Sequence, residues 1–83
     1  NPEHQLRQTE LSDLLQQCLL ELSEEQRTVV IMKEYEGFKF REIAEALNIS
    51  ENTAKSRLYY GLDGLKKILE QKNLTKESFG YEN

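Results

Sequence analysis

The chain is poor in every residue that staples or reshapes a small domain: among 83 residues there is one cysteine, one histidine, one proline and no tryptophan. A lone Cys18 excludes an intramolecular disulfide and any cysteine-based zinc cluster, so the core has to come from apolar side chains alone. Cys18 also falls on an apolar helix face, where it reads as a reduced core residue rather than a reactive thiol. His4 stands near the start without a placed Asp, Ser or Cys partner. No Gly-rich phosphate loop, metal-ligand spacing or nucleophile motif occurs, and Glu24-Glu25 and Glu34/Glu36 read as solvated helix-end charges. Neither an enzyme nor a metal or cofactor site is expected, and no small-molecule substrate. No apolar run approaches the ~20 residues that span a bilayer, and no charged-then-apolar leader is seen; the expected location is cytoplasmic, with no membrane partner. The length allows one small domain, near the lower limit for a core without staples.

What is present is helical periodicity. Residues 1–8 have none, and Pro2 favours an extended start, so they read as the end of a linker. Leu11, Leu14, Leu15, Cys18, Leu19 and Leu22 then follow i, i+3, i+4, i+7, i+8, i+11, which predicts a first helix starting near Thr9. Ser23-Glu-Glu-Gln26 is a capping box, with the Ser23 hydroxyl on the Gln26 amide and the Gln26 side chain reaching back. It opens a second helix from Glu24 to Tyr35, whose apolar residues Val29 to Met32 and Tyr35 are too broad for one stripe and predict burial on more than one side. Gly37 ends it as a left-handed cap, and at least one of Phe38 and Phe40 is expected to plug the core. Residues 9–71 are thus expected to form an all-α domain of four helices. From 72 to 83 the periodicity is lost, and a flexible tail is expected.

The middle of that domain has the form of a helix-turn-helix. Ile43, Ala44 and Leu47 mark one face of a short helix, Asn48 interrupts it, and Ser50 caps a second helix that carries Ala54 and Leu58. Two helices so briefly joined must cross steeply, with a small side chain at Ala44 and a left-handed residue at Asn48. The last helix should run to about Gln71, with Leu58, Leu62, Leu65 and Ile68 or Leu69 on its apolar face. Gly61 and Gly64 would each cost roughly 1 kcal/mol there if exposed, which predicts a loose middle.

The charge supports a nucleic-acid role only when divided by region. The chain carries 11 basic and 15 acidic residues, net −4. Positive charge is concentrated between residues 39 and 67, in Lys39, Arg41, Lys55, Arg57, Lys66 and Lys67, whereas the first half is acidic. Such a domain binds phosphate weakly by itself and needs a larger basic partner. In a helix-turn-helix the first turns of the second helix meet base edges, which makes Glu51, Asn52, Lys55 and Ser56 the base-facing candidates. Thr53, Arg57, Lys39, Arg41 and Tyr60 are the candidates for the DNA backbone, where contacts position without specifying.

Leu22-Ser-Glu-Glu-Gln-Arg27, Gly37, Glu42-Ile-Ala44 and Thr53-Ala-Lys-Ser-Arg-Leu58 together resemble region four of extracytoplasmic-function sigma factors, the promoter-recognising subunits of bacterial RNA polymerase. The similarity covers about residues 1–69. It implies a winged-helix-like four-helix domain that reads the −35 promoter element in the major groove and docks on the flap of the polymerase β subunit. An anti-sigma factor is a further partner that it implies. Tyr60 and Leu62 stand where relatives often carry Arg, which weakens the phosphate grip in mid-helix and leaves Tyr59, Tyr60 and Leu62 as apolar area for a protein partner. Two other readings remain at the level of sequence: the DNA-binding output domain of a response-regulator-type transcription factor, and a helix-turn-helix module turned to protein interaction.

Overall fold

A computed structural model describes residues 13–72. The expected linker end at 1–8, the helix start near Thr9 with Leu11, and the tail from 73 onward lie outside the described residues. Four α-helices follow one another, and no strand occurs among the described residues. α1 covers 13–20, α2 Glu24–Val30, α3 Phe40–Leu47 and α4 Glu51–Gln71.

The corner between α1 and α2 is built by polar groups that answer open helix ends. The amides of Glu21 and Leu22 donate to the carbonyls of Cys18 and Leu19. From α2, Arg27 reaches back and donates Nη1 to the carbonyls of Leu20 at 3.4 Å and Leu22 at 3.3 Å, acceptors that no helix bond satisfies. Ser23 caps α2 as expected, its Oγ accepting from the Gln26 amide at 3.2 Å, with Glu24 and Glu25 in the first turn. The return bond from the Gln26 side chain does not form. Gln26 instead lies against α4, where a Cβ added to Gly61 would sit 3.4 Å from its own Cβ.

α2 is the hub of the core because two adjacent residues point to different partners. Val30 packs with Leu19 of α1, with Leu22 in the corner after it, and with Leu58, Leu65 and Ile68 of α4. Val29 packs with Ile43 of α3 and Ala54 of α4, joined by Met32, Phe40, Leu47 and Ile49. Leu58 touches both groups. Each fully buried side chain of this kind contributes about 1.5–3 kcal/mol, so the broad apolar face of α2 holds the other helices together. Cys18 is fully buried, as its place in the periodic pattern required.

Beyond Val30 the helix widens into a π turn, Ile31–Tyr35, that periodicity did not foretell. The Ile31 carbonyl accepts from the Glu36 amide at 3.0 Å and that of Met32 from the Phe38 amide at 2.9 Å. An i→i+5 turn shifts the phase of the residues after it, so Tyr35, expected in the core, is exposed. Gly37 follows at φ 76°, the left-handed stop expected of it. Phe40 then packs on the second core group while Phe38 stays partly exposed, which answers the question of which phenylalanine is the plug.

α4 departs from expectation in its middle. Gly61 is buried, and a Cβ there would lie 2.7 Å from Cγ2 of Val30; at Gly64 it would lie 3.1 Å from Cδ2 of Leu22. The glycines are therefore points of close approach to the α1–α2 corner and not a loose segment. The apolar stripe runs through Ala54, Leu58, Gly61, Leu65 and Ile68, and Leu62 is turned outward. At the far end the Lys72 ammonium lies 2.7 Å from the Glu21 carboxylate, which raises its pKa and ties α4 to the end of α1.

The two glycines should respond oppositely to alanine. At Gly61 the branched, fully packed Val30 cannot yield, so overpacking of about 1–3 kcal/mol outweighs the roughly 1 kcal/mol gained in helix propensity. Gly61→Ala is expected to lose about 1 kcal/mol in urea denaturation. Gly64→Ala meets the end of a leucine that can turn, and is expected to be neutral or to gain up to about 1 kcal/mol.

Candidate nucleic-acid interface

The helix-turn-helix is set by a left-handed residue between two capped ends. Asn48 sits at φ 57°, ψ 49°, the one non-glycine residue with positive φ among the described residues. Its amide donates to the Glu45 carbonyl at 3.4 Å, and the next amide, of Ile49, to the Ala44 carbonyl at 3.0 Å. These two bonds are the Schellman pair, which closes α3 and reverses the chain in the fewest residues. Ile49 then enters the core beside Ile43, fixing the direction in which α4 departs. Ser50 starts α4: its Oγ accepts from the Thr53 amide at 3.0 Å and donates to Thr53 Oγ1 at 2.9 Å. Ala44 and Ala54 are both buried, as the close crossing requires.

Glu51, Asn52, Lys55 and Ser56, the base-facing candidates, are all exposed in the first two turns of α4. Asn52 stands one turn before Lys55 and Ser56, so the three share a face, and Glu51 flanks Lys55 at i, i+4. The candidates for the DNA backbone are more varied. Lys39 and Arg41 are exposed at the start of α3, where the Lys39 amide donates to Glu42 Oε1 at 2.8 Å; a lysine side chain has no acceptor for the other half of that box. Thr53 is half-buried, its hydroxyl oxygen already an acceptor in the cap. Arg57 lies against α2, its Nη2 donating to Glu25 Oε2 at 3.4 Å. Tyr60 is exposed and meets Tyr59 edge to face, ring centroids 5.1 Å apart.

One basic residue near this face was missed by sequence reasoning. Lys33, on the π turn, places its Nζ 4.6 Å from the centroid of the Phe40 ring, and Lys55 places its own 5.7 Å from the same centroid. The two ammonium groups are therefore within about 10 Å of each other across one aromatic ring. Lys33 is further held by donating to the Phe38 carbonyl at 3.3 Å. No periodic pattern marks such a residue, because the π turn sets its direction. The only hint in the sequence is that a basic residue interrupts an otherwise apolar and acidic segment.

Away from α3 and α4 there is a second surface feature, an open cleft lined by Gln16, Leu19, Ile31 and Tyr35. On the outer side of α4, Tyr59 and Tyr60 are 67% and 60% exposed, with Leu62 beside them. No helix among the described residues is long and apolar enough to cross a membrane.

These features define a helix-turn-helix domain with an exposed, polar second helix. Residues 12–63 match the sigma-70 region 4 family, and the chain belongs to that family, in its extracytoplasmic-function branch. It is 38% identical over 68 residues to the ECF RNA polymerase sigma factor SigW of Bacillus subtilis, covering 82% of this chain and 36% of that protein. It is 36% identical over 63 residues to the ECF RNA polymerase sigma factor SigL of Mycobacterium tuberculosis, covering 76% and 36%. The RNA polymerase sigma-H factor of Pseudomonas aeruginosa is 26% identical over 70 residues, covering 84% and 36%. The chain thus spans about a third of the length of the curated relatives that it matches.

The turn residue gives a test of this geometry. Asn48→Gly keeps the left-handed conformation available and is expected to leave the melting temperature nearly unchanged. Asn48→Val places a β-branched residue at positive φ and is expected to cost about 1–2 kcal/mol in the same melts.

Proposed function

We propose that this chain is the promoter-reading part of an alternative sigma factor, which directs bacterial RNA polymerase to initiate at promoters carrying its own −35 element. The observation that carries the reading is the exposed first two turns of α4, where Glu51, Asn52, Lys55 and Ser56 project from a helix rigidly capped at Ser50. Asn pairs with adenine, Lys with guanine and Glu with the cytosine amine, so this face holds donors and acceptors for direct readout in the major groove. Lys39, Arg41, Thr53, Arg57 and Tyr60 serve the phosphates beside it, and Lys33 joins them through the shared Phe40 ring. The named relatives are sigma factors of RNA polymerase, and this chain works in the same setting, in the cytoplasm.

The partners follow from what the fold leaves open. With a net charge of −4 the domain does not hold DNA by counterion release alone, and the polymerase core supplies the remaining grip. The cleft of Gln16, Leu19, Ile31 and Tyr35, formed without any residue of α3 or α4, is suited to an apolar segment of the β flap. Tyr59, Tyr60 and Leu62 form the surface that an anti-sigma factor would cover, withholding α4 from DNA.

The test uses Lys55→Ala and Arg57→Ala in the full-length protein. Transcription from its own promoter is expected to fall to background in both, while pull-down of core polymerase is unchanged. Loss of the Lys55 base contact costs about 1–3 kcal/mol at one base pair, and loss of the Arg57 phosphate contact weakens all sequences alike. Normal transcription by both variants would refute DNA reading by α4, and failure of the wild-type protein to capture core polymerase would refute the sigma-factor assignment.

A further inference from the structure

Arg57 is set against the DNA backbone in the proposed function, yet the fold gives its guanidinium a protein partner first. Nη2 donates to Glu25 Oε2 at 3.4 Å, joining the flank of α4 to the first turn of α2 across 32 positions of sequence. No other side-chain hydrogen bond engages Arg57 among the described residues. The contact is long and single where a guanidinium and a carboxylate can form two parallel bonds. Glu25 remains 71% exposed and Arg57 27% exposed, so the pair is open to a third charge.

Glu25 is not needed by the fold where it stands. Ser23 caps α2, Glu24 already supplies a negative charge to its first turn, and the Glu25 side chain projects into solvent. An exposed pair of this geometry adds little to stability. Its electrostatic effect on an approaching phosphate is larger, because the carboxylate neutralises the cation that would attract the phosphate and then repels the phosphate itself.

We propose that Glu25 is an electrostatic brake on Arg57, holding the guanidinium in the free protein and lowering its attraction for DNA phosphate. The brake rests on the reading that α4 docks on DNA with Arg57 toward the backbone. It acts on phosphate and leaves base edges alone, so it lowers affinity for every duplex by the same factor and leaves discrimination to Glu51, Asn52, Lys55 and Ser56. A domain that must ignore bulk DNA until it is carried to a promoter by a larger assembly gains from such a restraint. It also accounts for an acidic residue being held beside the very cation that would otherwise strengthen binding.

The test is Glu25→Gln, which keeps size and a hydrogen-bond acceptor while removing the charge. Full-length protein in complex with core polymerase is titrated, across a salt series, against a duplex carrying its own promoter and against a scrambled duplex. Glu25→Gln is expected to tighten both by roughly three- to ten-fold at low salt. The slope of log K against log salt should steepen by about 0.9, as for one more neutralised phosphate. Both effects should be clearly smaller when Arg57→Gln is present as well, leaving only the direct repulsion between the carboxylate and phosphate, and a merely structural role of Glu25 would not make them depend on Arg57. Unchanged or weaker binding by Glu25→Gln, with wild type bound normally, would overturn the brake alone. Wild-type complex that does not distinguish the promoter from the scrambled duplex would instead remove the DNA-reading assignment, and the brake with it.

Discussion

α4 lies on α2 as closely as it does because Gly61 offers no Cβ to the Val30 methyl, where one would sit at 2.7 Å. The packing of α4 on the α1–α2 corner depends on that approach. It lets Leu58, one turn earlier, reach both core groups at once, and it lets Leu65 and Ile68 cover Leu19 and Leu22 on the α1 side. A larger residue at 61 would lift the helix along its length and open the seam between α2 and α4, because interiors are packed too densely to absorb an extra methyl group. The roughly 1 kcal/mol lost in helix propensity at a glycine is the smaller effect. α4 is consequently a rigid continuation of the core, and its first turns inherit their position from packing several turns away.

Much of this was legible in the sequence, and the failures share a cause. The four helices, the Ser23 and Ser50 caps, the left-handed Gly37 and Asn48 and the burial of Cys18, Ile43 and Ala54 follow from local rules of capping and periodicity, and all are found. The candidate site was legible for the same reason, since Glu51, Asn52, Lys55 and Ser56 are exposed by the phase of a helix whose start is fixed at Ser50. What local rules missed is set by partners distant in sequence. Gly61 reads as a flaw until Val30 is placed beside it, and Leu62 reads as core until Gly61 takes that place. Tyr35 and Lys33 were misjudged because the π turn altered the phase on which periodicity depends. The ion pair of Arg57 with Glu25 joins residues that only the folded crossing of α2 and α4 brings together.

Charge and packing divide the domain in different ways. The apolar groups tie α1 and α2 to α4 without regard to the acidic first half, whereas Lys33 of the π turn and Lys55 of α4 meet at one aromatic ring of α3. Phe40 serves both sides: it packs with Val29 and Ile43 beneath and receives Lys33 and Lys55 from either neighbouring element. A cation held over a ring keeps its positive charge while losing rotational freedom, so it would lose less entropy on meeting the base or phosphate that the proposed function assigns to it. Lys55 is thereby oriented by the core itself, a more precise support than a solvated lysine has.

The π turn gives the last physical link between the two faces that the proposed function assigns to different partners. Ile31 and Tyr35, at its two ends, line the cleft beside α1, while Lys33 between them leans over Phe40 toward α4. An ordinary α-helical turn would not send these side chains in the same directions, because residues four apart and the one between them would keep a 100° phase instead of a widened one. A protein segment seated in the cleft would touch Ile31 and Tyr35, the two ends of the turn that carries Lys33. The cleft and the basic face are therefore separated by one turn of backbone and not by the thickness of the domain.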